Sequence, residues 1–172
     1  MIMSNGERVA GAVAGGLIAG LALSAIMLAG EKMSGKPSEL IELERATAAK
    51  LDVTTPTDNA PATVTEQLVT HGGHLALSAA AGLAYAVVVK EDADGPAAGA
   101  AFGAAFFVAA YGIAGPALGV TPLPWRQPLV RAIQHPIVHA LFGVTMAAFA
   151  RSAKALDKEG DQSFASNIRI GN

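Results

Sequence analysis

RVAGAVAGGLIAGLALSAIMLAG, residues 8–30, carries a single charge, at its first position. Crossing a hydrocarbon core of about 30 Å takes about 20 apolar residues of helix, and the uncharged run Val9–Gly30 is long enough. Gly11 and Gly15, then Gly16, Gly20 and Ser24, recur at four-residue spacing. That spacing lines small side chains along a helix and lets another backbone approach closely. It is read as a packing seam in preference to a glycine-lined substrate path, because such patterns are common in membrane bundles. The small residues within Leu21–Ala25 resemble the end of a signal peptide, but the segment is expected to be retained as a first span.

The rest of the chain repeats the pattern. Of 172 residues, 52% are hydrophobic and only 15% charged, and the mean hydropathy is +0.41, unusual for a soluble domain. Four stretches hold no formal charge: Val9–Gly30, Gln67–Val89, Gly95–Trp125 and Ala132–Ala150. The alternative, a soluble alanine-rich four-helix bundle, needs a polar outer face that these stretches do not supply. The absence of cysteine excludes disulfides, thiolate metal sites and a cysteine nucleophile. A net charge of −2 without a basic block argues against nucleic acid as a partner.

Residues 31–66 form the longest polar connection. Within it SELIELERATAAKL, residues 38–51, places Leu40, Leu43, Ala46/Thr47 and Leu51 on one side, with Glu42, Glu44, Arg45 and Lys50 mostly elsewhere. A short amphipathic helix is expected there, on the bundle end or at the headgroups, with a solvated charged face. TTPTDNAPAT, 54–63, reads as irregular. Thr63 and Glu66 make a capping box before the second apolar helix. On that helix His71, His74, Ser78, Gly82 and Tyr85 share one face. Asp94 is expected to cap the third helix, where Gly99 pairs with Gly103 in another seam and Gly115-Pro116 stops or kinks the rod. In 121–128, Trp125 beside Arg126 suits a membrane interface. On the fourth helix Arg131, His135, His139 and Gly143 follow helical spacing, and Pro136 either kinks that helix or marks where its regular part begins. Residues 156–172 read as a polar tail without a strong pattern.

Both helices bearing histidine start from the side of the long connection, so His71, His74, His135 and His139 are expected at one level. Three uses compete: interhelical hydrogen bonding, a transition-metal site, and haem ligation by one histidine from each of two facing helices. The structural use comes first, since polar groups inside a membrane need partners. The i,i+4 pair His135/His139 lacks the intervening glutamate of zinc hydrolases, and no carboxylate lies within a span. There is no nucleophile elbow or phosphate loop either, so no catalytic residue is assigned and an enzyme is not expected.

GGLIAGLALSAIMLAGEKMSGKP (15–37), HGGHLALSAAAGLAY (71–85), GPALGVTPLPW (115–125) and HPIVHALFG (135–143), in that order, resemble the YagU-like bacterial inner-membrane proteins, whose biochemical function is unassigned. The resemblance covers about residues 9–150. It departs from the family late in the third helix, where relatives often carry acidic residues and this chain has AAYGIAGPALG. It implies a four-span protein of the inner membrane and supplies no catalytic residues.

The expectation is therefore an all-α, four-helix transmembrane bundle with an amphipathic helix in the first connection. Residues 1–155 form one domain, with spans at about 8–30, 64–90, 95–115 and 129–152. Its partners are the lipid bilayer and other membrane subunits or further copies of itself. The leading function is a structural or accessory subunit, and the alternative is histidine-based metal or haem binding or transport, with no cofactor the favoured state. Six basic residues fall on each side of the spans, but Arg45 and Lys50 lie far from a span, which favours termini in the cytoplasm.

Overall fold

Glycine decides where these helices meet. The structure, a computed structural model, describes residues 3–56 and 59–170, and among them it is helical with no strand. In chain order the helices are α1 (Met3–Ser34), α2 (Glu39–Lys50), α3 (Val64–Val88), α4 (Pro96–Phe107), α5 (Gly115–Leu118) and α6 (Leu129–Ile170). α4, a π-helical stretch over Val108–Ala114 and α5 run on as one rod. α1 lies between α3 and α6, and α6 packs in turn against α4. Residues of rising number on α1 meet residues of falling number on its neighbours, Gly11 at Ala150 and Gly15 at Met146, so the rods are antiparallel.

The α1 seam is double. Gly11 and Gly15 face α6, whereas Gly16 and Gly20 face Ser78 on α3. Gly82 returns the contact, lying against Ala12 and Val13. Gly99 and Gly103 of α4 lie on the α6 backbone at Gly143 and His139. A Cβ at Gly99 would stand 2.5 Å from the Gly143 carbonyl oxygen, so only glycine permits that approach.

Large apolar side chains point outward. Leu21, Ile26, Val87 and Leu141 are all more than half exposed, while the buried set is mostly small or polar: Ala12, Ser24, Ser78, Ala81, Ala147 and Ala150, with Tyr85 and Met146. Three helices are long and apolar enough to cross a membrane, over Gly6–Ser34, Pro96–Leu118 and Leu129–Ala153. α3 has comparable length, 25 residues, but His71 and His74 at its entrance lower its mean hydropathy.

At the end where α1 begins and α3 finishes, a buried ion pair fastens the rods. Arg8 Nε donates to Asp94 Oδ2 (2.6 Å), Nη1 to the Ala86 carbonyl (2.6 Å) and Nη2 to the Val89 carbonyl (2.7 Å). Tyr85 Oη donates to Asp94 Oδ1 (2.9 Å). Asp94 is therefore not the α4 cap expected of it. Gly95 occupies that position with Pro96 at the first turn, and the carboxylate turns instead to the guanidinium, the stronger partner.

At the opposite end, α2 lies against α3. Ser38 caps it, its hydroxyl accepting from the Ile41 N–H. The capping box of α3 is formed: the Glu66 N–H donates to Thr63 Oγ1 (3.2 Å) and the Thr63 N–H to Glu66 Oε2 (2.8 Å). The expected solvated charge face of α2 needs correction. Arg45 is buried with Ile41 and Ala48, its Nε donating to Glu66 Oε1 (2.8 Å), while Leu51 is 70% exposed. An isolated amphipathic pattern cannot reveal this, because the acid that makes Arg45 buriable sits on α3.

The third rod does not stop at Gly115-Pro116. Pro116 lacks an N–H, and the preceding turn widens so that the Gly115 N–H donates to the Ala110 carbonyl, five residues back. One further turn follows, and Gly119 at φ +69° ends it. Pro136 lies inside α6, two turns after its start, so the helix does not begin there. The backbone of α6 also continues through the polar tail to Ile170. Residues 54–56 and 59–63 are irregular, while Thr57 and Asp58 of that connection, and the last two tail residues, lie outside the described residues.

Candidate functional site

α2 closes one end of the bundle, and beneath it lies a cavity of about 370 Å3 lined by α1, α2, α3, the third rod and α6. Its wall is mostly apolar, including Leu23, Leu43, Leu77 and Phe106, with Glu39, His74, Tyr111, His135 and His139 as the titratable members. Such a volume, apolar lining and small polar set are those of a small-molecule pocket.

Three of the four sequence-nominated histidines line this cavity: His74, His135 and His139. His71 does not. It is buried on α3 with neither ring nitrogen hydrogen-bonded. Among the described residues no group of three or more His, Asp or Glu side chains is arranged to hold a metal ion. His71 and His74, three positions apart, turn to different surroundings, so the structure brings three of the four nominated histidines to one cavity.

Each cavity histidine has one nitrogen committed. His135 Nε2 donates to Glu39 Oε2 (2.6 Å), and the other carboxylate oxygen receives Arg131 Nε (2.7 Å). His139 Nδ1 donates to the His135 carbonyl one turn back (2.8 Å). His74 Nδ1 pairs with Ser24 Oγ (3.1 Å), and Ser78 Oγ donates to the His74 carbonyl (2.8 Å). Ser24, which the sequence nominates only as part of the seam, thus orients a cavity imidazole.

Aromatic rings fix the α6 pair. Tyr111 stands edge-on to His135 with centroids 4.8 Å apart, and Phe107 lies 5.2 Å from His139. Tyr111 belongs to the π-helical stretch, whose extra residue per turn shifts side-chain directions relative to α4. No sequence signal marks that shift beyond the proline that follows it.

The functional group missed by sequence reasoning is Glu39. The four uncharged stretches of the sequence hold no carboxylate, yet α2 brings one to His135 from outside them. The hydrogen bond from His135 holds the Glu39 carboxyl below the usual carboxylate range, against burial, which pushes it up, and Arg131 adds to the lowering. On the outer side of this group a second space of about 80 Å3 is lined by Glu39, Glu42, Tyr111, Thr121 and Arg131. Glu39, Leu43, Tyr111, Val120 and Thr121 border both spaces, so Glu39 lies on the wall that the two share.

Comparison of the chain with protein families, with curated proteins and with solved structures finds no match.

Proposed function

We propose that this chain is a four-span integral membrane protein that binds a small, mainly apolar molecule in the cavity under α2. Large apolar side chains on the outside with small and polar ones inside is the distribution that lipid favours and water does not. α3 completes the four spans: His74 and Glu66 turn inward near its entrance, where their cost in lipid is relieved by Ser24 and the cavity for the one and by Arg45 for the other. The YagU-like resemblance puts such a protein in a bacterial inner membrane, with the charge near the spans favouring cytoplasmic termini.

Against a purely structural or accessory subunit, one observation favours binding: the cavity of about 370 Å3 into which α2, α3, the third rod and α6 direct a few polar groups. Packing alone does not call for that volume, since helices that meet through glycine close their gaps elsewhere in this bundle. The reading assigns His74, His135 and His139 to the wall, Glu39 and Arg131 to the closure by α2, and no residue to catalysis.

The test uses full-length protein in lipid nanodiscs and 2-methylnaphthalene as probe, with partitioning into empty nanodiscs subtracted. Saturable binding to the wild type, lost in Ala110→Trp at the cavity wall and kept in Leu141→Trp on the outer surface, is the expected result. Absence of saturable binding, or equal loss in both variants, overturns the proposal.

A further inference from the structure

His139 is the cavity histidine whose tautomer the backbone dictates. Its Nδ1 bears the proton, because the group it meets is the His135 carbonyl, at 2.8 Å, and a carbonyl can only accept. A neutral imidazole protonated at Nδ1 presents a lone pair at Nε2. Among the described residues no side chain or backbone group donates to that nitrogen, and the ring it belongs to lines the cavity. Phe106 and Phe107 flank the ring at centroid distances of 6.4 and 5.2 Å, so it has little freedom to turn away.

The other polar groups have different commitments. His135 Nε2 is held by Glu39, and Glu39 by Arg131 as well. His74 shares its Nδ1 with Ser24, whose hydroxyl can donate or accept, so its tautomer is not dictated in the same way. An unpartnered acceptor in an apolar cavity discriminates among occupants. A purely hydrocarbon occupant would remove it from water without a partner, whereas one that donates a hydrogen bond would not. The chemistry a lone pair shares with metal ligation is unsupported here, since no third donor joins it among the described residues.

Resting on the cavity being a binding site, we infer that its ligand is an apolar alcohol or phenol whose O–H donates to Nε2 of His139. The ring system occupies the Leu- and Phe-lined volume, and the hydroxyl selects the molecule. Hydrocarbons and ethers of equal size bind less well, because they bring no donor.

The experiment compares 2-naphthol with 2-methylnaphthalene, a near-isostere lacking the hydroxyl, each referenced to its partitioning into empty nanodiscs. The wild type should bind 2-naphthol about tenfold more tightly, which is about 1.4 kcal/mol. His139→Phe should bind both equally while keeping its affinity for 2-methylnaphthalene. A second readout needs no variant: 15N spectra of histidine-labelled protein should show His139 Nε2 unprotonated and shifted by 2-naphthol. If neither compound binds saturably, the cavity is not a binding site and the reading beneath this inference falls. If both bind with equal affinity, because a water already serves Nε2, this inference falls alone. It also falls if Nε2 is protonated, or if a metal ion or haem displaces the probe and occupies the imidazoles.

Discussion

Replacing Gly99 by alanine adds one methyl group at the tightest kind of contact in this bundle, and its effect can be worked out in advance. The new Cβ would lie 2.5 Å from the Gly143 carbonyl oxygen, 2.8 Å from the Gly143 carbonyl carbon and 2.9 Å from Ala147 Cβ. Two of those atoms are backbone, so no rotamer change relieves them and α4 and α6 must part. A separation of up to about 1 Å forfeits a quarter to a half of the dispersion energy of each contact, and overpacking generally costs about 1–3 kcal/mol. Alanine also gains about 0.8–1 kcal/mol over glycine as a helix former, which obscures the loss. Gly73 supplies the correction: it is helical and has nothing within 4 Å of its would-be Cβ. Gly73→Ala thus gains the propensity term alone, and the difference between the two variants isolates crowding. We expect Gly99→Ala to be less stable than Gly73→Ala by about 1–3 kcal/mol, measured by reversible unfolding in mixed micelles of increasing SDS fraction and followed by circular dichroism. Equal stabilities would refute the backbone approach of α4 to α6.

Arg8→Met removes the guanidinium from Asp94, which keeps Tyr85, and from the carbonyls of Ala86 and Val89, and should cost about 3 kcal/mol or more in the same assay. Removing the charge opposite as well, with Asp94→Asn, should recover part of that loss. An Arg8→Met protein as stable as wild type contradicts the network. The docking of α2 should depend on acid: the Glu39 carboxyl is lowered in the folded state, so its contribution is complete above the ordinary carboxylate range and declines as pH falls through and below it. Nitroxides on cysteines introduced at Ala49 and Gln127 should hold one distance at neutral pH and spread to longer distances at strongly acid pH. Spreading as pH rises instead would reverse the assigned sign.

Local pattern carried much of this fold. The four-residue recurrence of glycine marks positions where backbones meet, and the two offset sets on α1, Gly11/Gly15 and Gly16/Gly20, face two different helices. The capping box of Thr63 and Glu66 is legible because both partners lie within one turn. Features that depend on distant partners were not. Arg45 looks like a solvated residue until Glu66, 21 positions on, is placed beside it. Asp94 looks like a cap until Arg8, 86 positions away, reaches it. Glu39 is hidden in the same way, since 96 positions separate it from His135 and nothing in α2 alone tells which of its acids turns toward the bundle. The level shared by His74, His135 and His139 could be inferred from topology, but the departure of His71 could not. The widened turn at Val108–Ala114 follows from Pro116 and from packing beyond it, and periodicity carries no mark of either.

Depth in the bilayer is the decisive quantity. The chain has no cysteine, so single nitroxides can be placed at Leu21, Leu83, Val108 and Leu141, one on each rod and all at least half exposed. Power-saturation spectroscopy in lipid bilayers should find all four, Leu83 on α3 included, accessible to oxygen and shielded from a water-soluble nickel chelate. A label at Leu83 that meets the chelate as freely as one on the α2 surface would show that α3 does not span, and the four-rod membrane account would be wrong.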